Sequence, residues 1–276
     1  MDLMDSFKYE TGMPWCESAY KYQTLPFVAE FANTVTNLPI IVLPMLNAFM
    51  LRDYITQVNS IVFLPHLLLT FNGLASTAYH ATISLFGQLV DELSILWLIN
   101  ICLVAFLPIM QWVPDGFRKR MNTIRWTIVG VTAAISVLCF IRPSLNAFAL
   151  MTFSIPGSIV IYQEGIKNNQ TDIEKFTRRV FILWTLALSF WVADRVFCPF
   201  WLYLGAPYLH AIFHLLSSLA GYNAFIMFSL LDISRRSNEH NFHAEIRYFP
   251  SATKQPKNRF CFPYIRIVDK KKMIDH

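Results

Sequence analysis

The sequence predicts an all-α membrane protein built as a bundle of seven transmembrane helices. Of its 276 residues, 55% are hydrophobic and only 15% are charged, and the mean hydropathy is +0.41. An ordinary soluble domain has roughly 25% charged residues, so the composition excludes both a soluble globule and a disordered chain. Seven stretches are mostly apolar over about 20 residues, the length that a helix needs to cross the hydrocarbon of a bilayer.

Helix breakers and charge clusters separate most of the predicted spans. A charged pair at 52–53 ends the first span, a Pro-Asp-Gly turn at 114–116 follows the third, and an Arg-Pro pair at 142–143 divides the fourth from the fifth. A polar loop is predicted from 167 to 179, ahead of the sixth span. The spans run over about residues 29–51, 58–80, 88–111, 124–141, 145–163, 180–201 and 208–231.

Lysine and arginine in the connecting segments predict the orientation. They concentrate where the odd-numbered spans end, and the positive-inside rule makes that side cytosolic. The net charge of +5 therefore marks cytosolic loops rather than a nucleic-acid partner. The predicted regions are a lumenal N-terminal segment (1–28), a seven-transmembrane domain (29–231) and a short, irregular cytosolic tail (232–276). The marker residues are Arg52, Arg118, Lys119, Arg120, Lys167, Lys175, Arg178, Arg179, Arg235 and Arg236.

Few ionisable residues lie at membrane depth. Each costs about 2.5–3.5 kcal/mol there on the insertion scale, so each is a functional candidate. Apart from His66, they map to the lumenal ends of the spans, because odd-numbered spans start there and even-numbered spans finish there. Residues far apart in sequence are thus predicted to converge. They are Glu30, His80, Asp91, Glu92, Asp194, Arg195, His210 and His214.

The histidines have the spacing of a metal site. His210 and His214 are four residues apart and share one helical face, and Ser76 precedes His80 by the same interval. Three neutral imidazoles leave a fourth zinc position open, which is typical of a catalytic site. Asp91 is then the candidate to take a proton from the activated water, and Ser76 the candidate to donate a hydrogen bond to a developing oxyanion.

Structural interpretations of the same residues stay open. Two histidines at this spacing in an apolar helix are by themselves a weak indication, because buried histidines also hydrogen-bond neighbouring helices. His66 lies mid-span without polar company, so packing is its predicted role. For Asp194 and Arg195, support of neighbouring helices is favoured over direct catalysis.

The five cysteines divide by their predicted location. Cys102 and Cys139 lie inside spans and are predicted to pack as small apolar side chains. Cys261 lies in the cytosolic tail and is predicted to be reduced. Cys16 and Cys198 both face the oxidising lumen, and we predict a disulfide between them that ties the N-terminal segment to the end of the sixth span.

The motifs on these spans resemble the alkaline ceramidase family, part of a superfamily of membrane hydrolases that includes the adiponectin receptors. The central match is Ser76-x-x-x-His80, Asp91 and His210-x-x-x-His214. The resemblance covers nearly the whole chain. The further matches are Trp15-Cys16-Glu17, Ala29-Glu30-Phe31 with Asn33-Thr34, the run His80–Gln88 with Asp91-Glu92-Leu93, Ala193-Asp194-Arg195, Arg247-Tyr248-Phe249-Pro250 and Pro263-Tyr264.

The resemblance implies hydrolysis of the ceramide amide bond to sphingosine and a fatty acid. It implies an intramembrane zinc site with His80, His210 and His214 as ligands. Ser76 would be the hydroxyl on the oxyanion side, and Asp91 would orient the zinc water or move its proton. Ceramide in the bilayer and membrane lipids are the implied partners. No nucleic acid and no obligate protein partner are predicted.

A calcium site is also typical of this family, between the N-terminal segment and the first span. Glu17, Glu30 and the carbonyl of Trp15 match it, whereas Pro14 and Ala19 stand where the family has Asp and Asn. Ca²⁺ takes about six to eight oxygen ligands, so losing two donors should weaken or abolish the site. Glu17 could instead be a solvated acid, and Glu30 a buried acid that caps or pairs locally.

A zinc-dependent alkaline ceramidase is the preferred hypothesis. The alternative is a seven-span, lipid-responsive receptor of the same superfamily with vestigial hydrolase activity, because fold alone does not fix function. A transporter or channel is disfavoured, since the buried polar residues gather at one depth and trace no path across the bilayer. The endoplasmic reticulum, the Golgi and the plasma membrane all stay open as the location.

Overall fold

The computed structural model describes residues 10–12, 15–111, 113–166, 170–236, 242–257 and 261–269. Within these residues, seven helices are long and apolar enough to cross a membrane, which confirms the predicted helical bundle. The chain is a multi-pass membrane protein. From the first to the seventh, the spans are Phe31–Met50, Ser60–Thr82, Leu85–Ile109, Met121–Ile141, Pro143–Ile166, Thr171–Val196 and Leu209–Arg236.

Short helical turns extend or connect these spans. The second, third and fifth spans each combine a regular α-helix with a 3-10 turn, the α-helices being Phe63–Thr82, Leu85–Phe106 and Asn146–Ile166. The remaining short elements are α-helices at Arg52–Gln57, Asp115–Arg118 and Cys198–Tyr203, and 3-10 turns at Cys16–Tyr20, Ser60–Val62, Leu107–Ile109 and Pro143–Leu145.

The first span is broken into two helices, Phe31–Val35 and Leu38–Met50. Pro39 lies in the first turn of the second helix, a position that suits proline because it has no N–H to donate to a preceding turn. The Thr36 hydroxyl and the Asn37 amide donate to carbonyls one turn earlier, at 2.7 and 3.0 Å. The Asn37 side chain therefore satisfies the Asn33 carbonyl, whose helical donor is lost at the break because the Asn37 N–H bonds the Thr34 carbonyl instead.

The sixth span begins earlier than predicted. The polar loop expected at 167–179 is wrong from Thr171 onward, because a continuous helix covers Thr171–Val196; residues 167–169 lie outside the described part. Two acidic residues in its first turn favour a helix N-terminus, and Ile173 is buried at 1% exposure. The charged residues therefore lie on one face of this helix, and its opposite face packs in the bundle.

A buried carboxylate organises the end of the bundle where the seventh span finishes, which we call the tail end. Asp232 has no exposed surface. It accepts hydrogen bonds from the Tyr54 hydroxyl at 2.6 Å and the Asn59 amide at 2.9 Å, and pairs with Arg236 at 2.5 Å. Since a buried charge must be paired, this network fixes the link between the first two spans to the seventh.

The chain after the seventh span forms a β-hairpin that the sequence analysis did not anticipate. Strands β1 (Phe242–Phe249) and β2 (Phe262–Asp269) pair antiparallel. Ile265 is 2% exposed and belongs to the hydrophobic core at the tail end. The Tyr222 hydroxyl of the seventh span donates to a carbonyl of β2 at 2.6 Å. The described part of the tail is therefore a small element docked on the bundle.

Gly73 allows the first and second spans to approach closely. A Cβ at this position would lie 2.8 Å from the Ile41 side chain and 3.0 Å from the Ile41 backbone nitrogen. Gly130 in the fourth span is the opposite case, since a Cβ there would meet nothing within 4 Å in the described structure.

We expect Gly73→Ala to lower the free energy of unfolding by about 1–3 kcal/mol, because the two spans must separate to admit the methyl group. The matched control is Gly130→Ala, which should be neutral or stabilising by up to about 1 kcal/mol through helix propensity. Thermal unfolding of the purified protein in detergent measures both variants. Equal stability of the two would contradict this close packing.

Candidate metal centre

Three histidines from two spans meet at the end of the bundle opposite the tail, which we call the site end. His80 lies near the end of the second span, and His210 and His214 lie in the first two turns of the seventh. Each offers a ligand atom within 4.8 Å of those of the other two. Their exposures are only 1%, 3% and 3%. This cluster could hold a metal ion.

Two imidazole nitrogens in this cluster have unsatisfied hydrogen-bonding capacity. Nε2 of His80 and Nδ1 of His210 are buried and make no hydrogen bond in the described structure. An unpaired polar atom in a protein interior costs about 1–3 kcal/mol. A cation bound between the rings would give both nitrogens a partner, so the residues present fit a metal.

The other ring nitrogen of His80 is held by a carboxylate. Nδ1 of His80 lies 2.6 Å from Oε2 of Glu30, and both side chains are 1% exposed. Glu30 is oriented in turn by the Asn33 amide at 3.1 Å and by the Ser18 hydroxyl. A carboxylate on one imidazole nitrogen fixes the ring and directs the second nitrogen toward a metal.

The broken first span orients His214. Nδ1 of His214 lies 3.1 Å from the Asn33 carbonyl and 3.1 Å from the Thr36 hydroxyl. As an N–H donor to that carbonyl, Nδ1 leaves Nε2 available as the ligand atom. The sequence analysis did not assign Asn33 and Thr36 to the site. The available signal was the group of polar residues at 33–37 in an otherwise apolar span.

Ser76 and Asp91 lie together beside this cluster in the fold. Ser76 is one turn before His80 on the second span and is 4% exposed. The Asp91 carboxylate accepts from the Asn72 amide at 3.2 Å, and Asn72 lies one turn before Ser76 on the second span. The structure thus places Asp91 against the helix face that carries Ser76 and His80. Glu92 instead accepts hydrogen bonds from two amide side chains.

Glu17 caps the first span from outside it. Its carboxylate accepts the backbone N–H groups of Ala32 at 2.6 Å and Asn33 at 2.8 Å, in the first turn of that helix. Burial raises the pKa of the Glu17 carboxyl above its ordinary value, and these two N–H groups act in the opposite direction. The position suits a carboxylate because a helix N-terminus carries partial positive charge.

The carboxylates expected to bind calcium therefore already have protein partners. Glu17 binds backbone N–H groups, and Glu30 binds His80, Ser18 and Asn33. Ala19 contributes no side-chain oxygen, and Pro14 lies outside the described residues. A carboxylate has about four lone-pair sites, so calcium could bind alongside these donors. The weakened or absent calcium site stays a prediction, which a titration against chelator would measure.

The predicted disulfide is confirmed. Cys16 and Cys198 are bonded, with their Cα atoms 5.4 Å apart. Asp194, at the end of the sixth span, accepts the backbone N–H of Cys16 at 3.0 Å and that of His210 at 3.2 Å. The N-terminal segment is therefore anchored to the sixth span at the site end.

The fold and this cluster define a class of protein: a multi-pass membrane protein with a candidate metal centre buried at one end of its helix bundle. The sequence profile of the family named Ceramidase matches residues 8–265. The chain belongs to the ceramidase family, which confirms the resemblance seen in its motifs.

Individual relatives agree with this family assignment. The chain is 58% identical over 264 residues to an alkaline ceramidase of Caenorhabditis briggsae and to one of Caenorhabditis elegans, and each match covers 96% of this chain and 96% of the relative. It is 30% identical over 246 residues to alkaline ceramidase 1 of Homo sapiens, with 88% of this chain and 91% of the relative covered.

Proposed function

We propose that this protein is an alkaline ceramidase that uses zinc to hydrolyse the amide bond of ceramide into sphingosine and a fatty acid. The observation that carries the proposal is the buried cluster of His80, His210 and His214, with two unpartnered nitrogens, in a chain of the ceramidase family. The receptor alternative has no comparable support, because the curated relatives given above are named as ceramidases.

The donor set favours zinc. Three imidazoles with one open position are the usual ligands of catalytic zinc. His80 and His214 would bind through Nε2, since hydrogen bonds to their Nδ1 atoms leave these nitrogens available. His210 would bind through Nδ1, which is buried without a partner in the described structure. When bound, zinc polarises the amide carbonyl and lowers the pKa of a water molecule to about 7.

In the proposed reaction, Asp91 transfers the proton and Ser76 stabilises the developing negative charge. The Asp91 carboxylate takes the proton of the attacking water as the new C–O bond forms, and returns it to the amide nitrogen as the C–N bond breaks. The Ser76 hydroxyl donates to the oxyanion that develops on the carbonyl oxygen. The Asn72 amide, 3.2 Å from Oδ1 of Asp91, keeps the carboxylate oriented throughout.

The position of the site suits a lipid substrate. Ceramide has a polar amide near the headgroup region and two long chains that extend into the hydrocarbon. His80, His210 and His214 lie at span ends, so the amide can reach them while the chains stay at membrane depth. Burial of these rings keeps bulk water from competing for the reacting amide.

Zinc removal should abolish ceramide hydrolysis, and zinc addition should restore it. His80→Ala and His214→Ala should each remove most of the bound zinc and lower kcat/KM at least about a hundredfold, because each deletes a ligand. Sphingosine release and zinc per protein molecule measure these two effects on purified protein.

The matched control for these variants is His66→Ala. His66 is a buried histidine in the same span as His80, and its Nδ1 contacts the Val62 carbonyl at 2.8 Å. Its removal should leave the zinc content at the wild-type value. Full activity of metal-free protein, or of folded His80→Ala protein, would disprove the zinc mechanism.

Ser76→Ala should lower kcat about 10²–10³-fold and Asp91→Asn about 10²–10⁴-fold, because these changes remove an oxyanion donor and a general base. Both variants should keep wild-type zinc content, which separates loss of chemistry from loss of metal. Ser136→Ala, a buried serine in the fourth span that accepts from Trp97 at 2.8 Å, is the control. Wild-type kcat in either site variant would reject its assigned role.

The site end is proposed to face the lumen or the outside, with the tail end in the cytosol. A disulfide at the site end requires an oxidising compartment. The basic residues of the tail end agree with the positive-inside rule. Among the described residues they include Arg52, Arg118, Lys119, Arg120, Lys175, Arg178, Arg179, Arg235 and Arg236.

Protease digestion of sealed microsomes, whose cytosolic face points outward, measures this orientation. A C-terminal epitope should be removed from intact vesicles, whereas an N-terminal epitope should be lost only after detergent is added. Protection of the C-terminal epitope would reverse the proposed topology.

A further inference from the structure

We propose that Asp194 is a positioning residue for the metal ligand His210. This role rests on the proposed metal site. Asp194 has no exposed surface and lies in the last turn of the sixth span. Its carboxylate joins the backbone of the N-terminal segment to the backbone of His210 itself, so one side chain sets the relative position of both.

The two oxygens of Asp194 bind different parts of the chain. Oδ1 accepts the N–H of His210 at 3.2 Å, and Oδ2 accepts the N–H of Cys16 at 3.0 Å. The N–H of His210 lies in the first turn of the seventh span, where no helical carbonyl is available to accept it. Asp194 thus caps the helix that carries two of the three histidines, at the residue that is itself a ligand.

The hydrogen bond from the Cys16 N–H to Asp194 places an aromatic ring against the His210 imidazole. Because the N–H of Cys16 is held by Asp194, the preceding residue, Trp15, is brought over the His210 imidazole. The two rings stack with centroids 3.5 Å apart and an interplanar angle of 15°. Trp15 is 8% exposed and is covered by the Arg195 guanidinium, 4.1 Å from its ring centroid.

His210 has no side-chain hydrogen bond of its own to hold its ring. Glu30 orients His80, and the Asn33 carbonyl orients His214, whereas Nδ1 of His210 has no partner in the described structure. Its orientation therefore depends on the rings of Trp15 and Phe213 stacked on it and on the position of its backbone. Asp194 helps to hold both the indole and that backbone, which is why a residue that touches no ligand atom should affect metal affinity.

A purely structural role for Asp194 makes a different prediction, and Asp232 is the matched control. Asp232 is also fully buried and also accepts hydrogen bonds from two groups outside its own helix, but at the opposite end of the bundle. From His210 to Asp232 the seventh span rises roughly 33 Å at 1.5 Å per residue. Loss of Asp232 should therefore damage the fold without disturbing the metal site.

The experiment compares Asp194→Asn and Asp232→Asn in the purified full-length protein. The probes are Zn²⁺, titrated against a competing chelator, and Co²⁺, whose visible absorption reports the geometry of its ligands. We expect Asp194→Asn to weaken zinc binding about 10–100-fold, as for other partners outside the ligand set, and to alter the Co²⁺ spectrum. Asp232→Asn should lower the melting temperature and leave both metal readouts close to wild type.

Trp15→Leu keeps Asp194 and removes the stacked ring, so it tests the same role if Asp194→Asn fails to fold. It should weaken zinc binding and change the Co²⁺ spectrum in the same direction. A zinc affinity within twofold of wild type in folded Asp194→Asn or in Trp15→Leu would overturn the proposal. An equal loss in Asp232→Asn would also overturn it. Failure of the wild-type protein to bind zinc would instead refute the proposed metal site itself.

Discussion

Every polar group at membrane depth in this bundle needs a partner within the protein, because hydrocarbon offers none. That requirement organises the site end. Glu30 binds His80, Asn33 binds His214, and Asp194 binds the backbone of His210. These pairings leave Nε2 of His80 and Nδ1 of His210 without a partner, within a cluster whose ligand atoms lie close together. The candidate metal centre is built from these unpaired ring nitrogens.

The two ends of the bundle use buried carboxylates for different purposes. At the tail end, Asp232 is fully paired with Tyr54, Asn59 and Arg236, and the hairpin packs beside it, so this end is a closed structural core. At the site end, the carboxylates hold helix ends and imidazoles while ring nitrogens stay unpaired. The three-histidine cluster, with its unpaired ring nitrogens, lies at the site end.

The sequence predicted the bundle because a helix must be apolar over about 20 residues to cross a membrane. It also predicted that His80 and His210 lie at one depth, since alternating spans bring their ends to the same side. The beginning of the sixth span was missed because hydropathy alone does not distinguish a polar loop from an amphipathic helix end. The hairpin was missed because its apolar residues become buried only against the bundle.

By itself the sequence determined the number of spans, the family and the cysteines that pair. These follow from local composition, helical spacing and the side of the membrane that each segment faces, all of which can be inferred from a single sequence. Only the tertiary structure decided which group orients each imidazole: Glu30 for His80, the broken first span for His214, and Asp194 for His210. Those contacts join residues up to about 180 positions apart. They come within hydrogen-bonding distance only when the side chains of different spans pack together, and no local sequence pattern specifies that packing.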